Sequence, residues 1–418
     1  MKTNWKKSLC LPVVLCLLLA LMPGLSLAAD PSQGVNVATP TMEEIRTYYQ
    51  NRTFDLNYQD QFVTQPSISD PFVLGELTQA TQENALGVMN FVRYIAGIDA
   101  NVTLDASHIE HAQAAALACA IYGNLTHTPD EVMSKPVGMS DAMWKLCNDG
   151  GRATNIGVSG STNPNFTSGM LQERIIKGWM SDNSAGNIVA VGHRRWILNP
   201  KMGKSGFGQV NALWGTYHGR FSAMYAHDSS NSGATQTGVV WPAQNQPVEL
   251  FAAIDPWSIS MNVTNLVAAN IQVTLTRRGD GRVWNFSNTA ADGLFYVNNQ
   301  YYGQPGCIIF RPDGVGSYAI GDVFDVVITG ANVPISYTVR FFTIEGEYPI
   351  GPPTIVPGDA DCNTVVDAAD AALVLRYLAG LAELSDEGKL NANVNGGELD
   401  SSDAAMILRY LAGLITLD

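Results

Sequence analysis

Apolar side chains recur at helical spacing through the first half of the chain. Residues 83–98, ENALGVMNFVRYIAGI, carry this period and predict a helix. Residues 105–122 open with Ser107-x-x-Glu110, the pattern of a capping box. They continue through AQAAALACAIY and meet Gly123 as a stop. Residues 170–181 predict a third long helix, and Thr41-x-x-Glu44 predicts a short capped one inside a polar stretch. To about residue 225 the pattern is therefore mixed, helices with short strands. From about 239 to 345 the texture changes to short β-branched and aromatic runs: VELFAAI, IQVTLTRR, GCIIFRP, VFDVVITG and SYTVRFFTI. Gly, Asp, Asn and Pro punctuate them, which predicts an antiparallel β-sandwich. The Pro-rich EYPIGPPTIVPG follows as a semi-stiff linker. The chain then repeats itself: AALVLRYLAGL (371–381) returns as AAMILRYLAGL (404–414), an offset of 33 residues.

The N-terminus adds a destination. Lys2, Lys6 and Lys7 precede an apolar run, Pro23-Gly24 and small residues ending at Ala28-Ala29. This is the pattern of a secretory signal peptide over residues 1–29, and its apolar run is short for a membrane span. The expectation is a secreted, extracellular protein with no membrane attachment after cleavage. Of six cysteines, Cys10 and Cys16 leave with that segment. Cys119, Cys147, Cys307 and Cys362 are too few and scattered for a disulfide scaffold, and no CxxC suggests zinc. Cys119 and Cys147 either pair or remain buried thiols.

Formal net charge is −14 over 418 residues, and residues 358–418 hold eleven acids against three bases, so −8 lies there. That balance argues against a nucleic-acid partner and for cations. The acids are ordered. DADCNTVVDAAD (359–370) places Asp359, Asp361 and Asn363 at positions one, three and five, the Val365 carbonyl at seven, Asp367 at nine and Asp370 at twelve. Calcium takes six to eight oxygens from a loop of about this length. Thr364 stands where such loops favour glycine. The second copy offers Asn393, Asn395, Asp400 and Asp403, but one residue is missing between its fourth and sixth positions, and with it the fifth ligand. A weaker second site is expected.

On these motifs residues 358–418 resemble a type I dockerin, two calcium loop–helix repeats each leading into an LRYL helix. The resemblance implies a small all-α module that binds a cohesin domain on a scaffoldin and so loads its cargo onto a cellulosome. It also implies cohesin contact at Ala368, Ala369, Ser401 and Ser402, the tenth and eleventh loop positions, and at Arg376 and Arg409 on the helices.

A second set of words, ALGVMNFVRYIAGI, an Ala-rich helix, NLTH, TNIGVSG and GWMSDNSAGNIVAVGHRRWILNP, resembles a bacterial CAP domain of the cysteine-rich secretory protein, antigen 5 and pathogenesis-related 1 superfamily. It implies an α-β-α sandwich over residues 81–225, with His127, Asp182 and His193 in a cleft. Thr154, in TNI, stands where that family usually has a second acid. The three remaining residues suit either a hydrolase, peptidase or cell-wall directed, with the imidazoles as general bases, or a Zn2+ site with water as fourth ligand. The other reading is a cleft that binds a peptide, lipid or glycan without turnover. His108 and His111, one turn apart, read as a solvated helix face. VSGS (158–161) lacks the GxSxG order of a nucleophile elbow. Trp241, Trp257, Tyr301 and Tyr302 read as packing rather than as a sugar-stacking platform.

The expected architecture is multidomain α+β: signal peptide 1–29, an extension 30–80 packed on the CAP domain, the CAP domain 81–225, an accessory β-sandwich 226–346, the linker 347–357 and the dockerin 358–418.

Overall fold

The computed structural model describes residues 39–163, 165–166, 168–345, 356–362, 365–384 and 386–417. The expected signal segment, most of the Pro-rich linker, and Asn363 with Thr364 lie outside the described residues. The chain divides into two compact units, 39–345 and 356–417, each with its own apolar core. Among the described residues no helix is long and apolar enough to cross a membrane.

The larger unit begins with helix Met42–Gln50. Its predicted capping box is in place: Thr41 Oγ1 accepts from the Glu44 amide at 3.1 Å, and the Glu44 carboxylate accepts from the Thr41 amide at 2.7 Å. Tyr48 and Tyr49 stack on Phe91 of helix Gln79–Ile95, which starts earlier than its apolar period indicates because Thr78 caps it.

Helix Ala106–Tyr122 is capped by Asp105, not Ser107; the Asp105 carboxylate accepts from the amides of Ser107 and His108 at 3.0 and 3.2 Å. Gly123, at φ 75°, ends it as expected. Ala112, Ala115, Ala116 and Cys119 of this helix share a core with the antiparallel sheet Thr154–Ser161, Tyr217–Tyr225, Phe207–Trp214, in that order. Ala114 and Ala118 share a second core with Cys147 of the unanticipated helix Asp141–Ala153. Burial on both sides explains why the helix is small and apolar almost all round. The third expected long helix is mostly something else. One α-turn, Leu171–Glu173, leads into a π-helix, Arg174–Met180.

The β-rich part forms two sheets. Gly293–Asn298, Gly306–Pro312, Trp257–Met261 and Gly238–Trp241 make one, and Val283–Ser287, Gln272–Arg277, Val323–Thr329, Ile335–Phe342 and Asn245–Pro247 the other. Their inner residues share one core: Trp257 lies 5.8 Å from Phe310 of its own sheet and 5.5 Å from Phe324 of the facing one. VELFAAI, read above as a strand, is instead a 3-10 turn at Val248–Leu250. Trp241 and Trp257 are buried packing residues.

In the smaller unit the two LRYL helices run Ala368–Leu378 and Ser401–Leu411, each starting one turn before its repeated apolar run. Asp367 and Asp400 are their N-caps. Ala371 and Val374 of one helix meet Ala404 and Ile407 of the other in a core closed by Leu384 and Ala392. A further helix, Asp386–Ala392, joins the repeats and had no signal in the periodicity.

Candidate functional sites

The first acidic loop gathers its charge at one point. Asp359, Asp361 and Asp370 each place a carboxylate oxygen within 4.8 Å of the others, and Asp359 and Asp370 are buried. Oxygens on opposite sides of a calcium ion, at 2.3–2.6 Å each, are at most about 5 Å apart, so this spacing fits that ion. Asp370 sits in the first turn of the helix rather than ahead of it. Its Oδ1 accepts from the Asp361 amide at 3.1 Å and its Oδ2 from the Asp367 amide at 2.8 Å. Burial, followed by the charges of Asp361 and Asp359, pushes its carboxyl up to about 7. Asp367 is exposed, and its Oδ1 accepts from the Ala369 amide at 2.6 Å as a helix cap. Val365 is exposed, and Asn363 lies outside the described residues.

The loop is braced by a residue the motif did not reveal. Asn391, buried in helix Asp386–Ala392, donates to the Asp359 carbonyl at 3.0 Å and accepts from the Val356 amide at 3.1 Å.

In the second loop Asp403 is buried, and its Oδ1 accepts from the amides of Val394 and Asn395 at 3.0 and 3.2 Å. Asp400 caps its helix through the Ser402 amide at 2.7 Å. Asn393 and Asn395 are bonded within the loop. Ala368, Ala369, Ser401 and Ser402 occupy the two first turns. Arg376 and Arg409 stand at equivalent places near the two helix ends. Leu375, Leu378, Leu408, Leu411 and Tyr410 are exposed beside them.

The larger unit holds a cavity of about 290 Å³ lined in part by His127, His193, Arg152, Thr154, Trp196, His227 and Tyr302. The π-helix supports it from behind, through a residue that does not line it. It runs into Ser181 and then Asp182, whose φ of 48° turns the carboxylate back toward helix Gly192–Ile197. There Asp182 Oδ1 accepts from His193 Nδ1 at 2.8 Å and Oδ2 from the Arg194 amide at 3.2 Å. His127 Nδ1 donates to the Gly151 carbonyl at 2.8 Å. A Cβ at Gly151 would lie 2.9 Å from Pro129 and 3.1 Å from the His127 carbonyl, so only glycine permits this approach. Nδ1 is the donor on both rings, so Nε2 is the nitrogen each leaves out of these bonds. Burial, partly offset by the bond to Gly151, lowers the His127 pKa below the ordinary imidazole value. Burial likewise lowers the His227 pKa; its ring lies tilted against Trp196, centroids 4.5 Å apart.

The zinc expectation does not fit this donor set. Asp182 does not line the cavity, and it accepts from His193 and Arg194 behind it. Among the described residues, His127, His193 and Asp182 are not a group whose ligand atoms lie within 4.8 Å of one another. Thr154, in the place of the second acid, donates its hydroxyl to the Gly150 carbonyl at 2.9 Å. The described lining includes no serine or cysteine. The solvated-face reading of His108 also fails in part: its ring stacks on Tyr225 at 3.8 Å, while His111 Nδ1 bonds the Ser107 carbonyl at 2.7 Å. Cys119, Cys147 and Cys307 are unbridged thiols, and burial pushes Cys119 up to about 11 and Cys147 to about 12, so neither of these two is a ready nucleophile.

Two features of the cleft escaped the motif. His227 follows the strand Tyr217–Tyr225, and Tyr302 comes from the β-rich part. Arg195 fastens the Tyr302 segment: its guanidinium donates to the carbonyls of Gln300 and Gln304, both at 2.6 Å, and to Asn298 Oδ1 at 2.9 Å. Arg194 runs the other way, to the carbonyls of Met180, Ser181 and Pro256. The HRRW word thus presents His193 to the cavity and anchors it through two buried arginines.

Residues 357–412 match the family of the dockerin type I domain. No curated protein matches the chain.

Proposed function

We propose that this chain is a secreted component of a cellulosome-type assembly, held by calcium and a cohesin through its C-terminal unit, with the larger unit as cargo. The observation that carries this reading is the convergence of Asp359, Asp361 and Asp370 in front of a capped helix, within residues that match a dockerin type I domain. Calcium supplies the countercharge that lets three carboxylates share one point. The exposed leucines beside Arg376 and Arg409 offer the apolar and basic face a cohesin would cover, with Ala368, Ala369, Ser401 and Ser402 at its edge. Capture of the full chain on an immobilised cohesin panel tests it. Capture in calcium, loss in EGTA and loss in Asp361→Ala are expected; capture indifferent to all three overturns the reading.

For the cargo, residues 81–225 are read as a CAP-type domain whose cleft binds a peptide, lipid or glycan without turnover. The engaged hydroxyl of Thr154 and the absence of a nucleophile from the described lining support binding over covalent catalysis. A second reading is favoured by one pair. Asp182 fixes His193 in the tautomer that leaves Nε2 basic, the arrangement a general base needs to activate water in a hydrolase. An activity screen separates the two: turnover abolished by His193→Ala and His127→Ala supports hydrolysis, and turnover unchanged in both removes it.

A further inference from the structure

We infer that the second loop of the C-terminal unit is sealed by its own hydrogen bonds and takes no calcium, so that the chain carries one ion rather than two. The inference rests on the calcium reading above for the first loop.

The two loops differ by one residue. Eight positions separate Asp359 from the helix cap Asp367, and seven separate Asn393 from the equivalent cap Asp400. The shortening falls at Gly396-Gly397, and the backbone takes it up with Gly396 in the left-handed region at φ 73°. With the chain drawn in, the side chains expected to face an ion meet the loop instead. Asn393 Oδ1 accepts from the Gly396 amide at 3.0 Å, and its Nδ2 donates to the Gly397 carbonyl at 2.6 Å. Asn395 Oδ1 accepts from the Gly397 amide at 2.8 Å, and its Nδ2 donates to Ser402 Oγ at 2.8 Å. Ser402 is in turn bonded to Asp400 Oδ1 at 2.6 Å. Both carboxamides therefore have donor and acceptor sides engaged, and each NH2 group meets an oxygen of the loop itself.

Charge points the same way. The first loop brings three carboxylates together. In the second the first and third positions are neutral amides, and the fifth position is gone. Asp400 and Asp403 remain, two carboxylates against the four of Asp359, Asp361, Asp367 and Asp370, and Asp400 Oδ1 already accepts from the amide and hydroxyl of Ser402 at 2.7 and 2.6 Å. An ion entering here would have to displace the Gly396 and Gly397 amides from the Oδ1 atoms of Asn393 and Asn395 and gain two neutral oxygens in exchange. Calcium affinity follows ligand charge, so the exchange is unfavourable. The repeat has kept its capping box and buried core contacts while replacing the ion with glycine amides.

The bound ions are counted on the full chain by native mass spectrometry in calcium, with equilibrium dialysis as a check. One ion is expected, and none in Asp361→Ala. Two ions on the unaltered chain overturn the inference while leaving the calcium reading intact; none overturns the calcium reading itself. A gain-of-site variant removes dependence on a negative result. Asn393→Asp with an Asp inserted after Gly396 restores the ligand count and spacing, and its expected count is two. Hydrogen exchange supplies a second readout: in EGTA the amides of Asn395, Gly396 and Gly397 stay protected while the amide of Asp361 loses protection. Equal loss in both loops overturns the inference.

Discussion

With Asp370 as a calcium ligand, as proposed, calcium affinity depends on pH in a direction set by its carboxyl. In the ion-free protein burial pushes its carboxyl up to about 7, against about 3.9 for an unfolded aspartate. The folded state holds this proton more tightly than the unfolded one. Its contribution to stability is full below about pH 4 and is lost as pH rises through about 7. Calcium needs the carboxylate, so proton and ion compete. Apparent affinity should be roughly 25-fold weaker at about pH 5.5 than at about pH 7.5, and calcium titration of the full chain at both values measures it. An affinity flat across that range removes Asp370 from the ligand set. The cleft histidines carry the opposite sign. His127 and His227 are depressed by burial, so the unfolded chain takes up their protons first. The larger unit loses stability as pH falls below about 6.5 and through those depressed values. Melting temperatures from neutral to acid pH should show the decline, and His227→Gln should flatten it; an unchanged slope in that variant counts against the assignment.

The aromatic wall of the cleft depends on how closely the Tyr302 segment and helix Gly192–Ile197 approach. A Cβ at Gly192 would lie 2.9 Å from Tyr302 Cε1 and 3.0 Å from Cδ1. Gly192→Ala therefore forces Tyr302 away from Trp196, at a cost of about 1–3 kcal/mol for overpacking. Tyr302→Ala creates the room, so the double variant should be less destabilised than the sum of the singles, a coupling that a denaturation cycle reads directly. Strict additivity would mean the two do not press on each other. This wall also marks where sequence reading stopped. The acidic loops were legible because their carboxylates and carboxamides lie within twelve residues and a repeat displays them twice. His127 and His193 could be singled out by the words around them. Tyr302 was read as packing, because Arg195, only a charge in HRRW, is what brings its segment to the cleft, and no word singled out His227. The π-helix was hidden for a related reason: Ile175 and Trp179 keep ordinary helical spacing while the hydrogen bonds widen. Ser107 and Asp105 both fit a cap, and only the backbone chose Asp105. Asn391 lies between the repeats, where no period marks it.

Two units with separate cores should unfold as two events, and only one of them should respond to calcium. Among its described residues the smaller unit has a modest core, seven buried apolar residues with partly buried neighbours, and it must hold three carboxylates together at one end. An ion that binds the folded state alone stabilises it by about 2.7 kcal/mol at a hundred times its dissociation constant. For a module of this size that corresponds to roughly 10–20 °C in melting temperature. The larger unit has its own buried aromatic core, and its cleft gathers no comparable carboxylate group among the described residues. Scanning calorimetry of the full chain should therefore show one transition that moves upward with calcium and one that stays in place. Asp361→Ala should hold the mobile transition at its EGTA position without shifting the other. If both transitions move together with calcium, the units are thermodynamically coupled, and the ion is then a ligand of the whole chain rather than of the repeat that gathers its carboxylates.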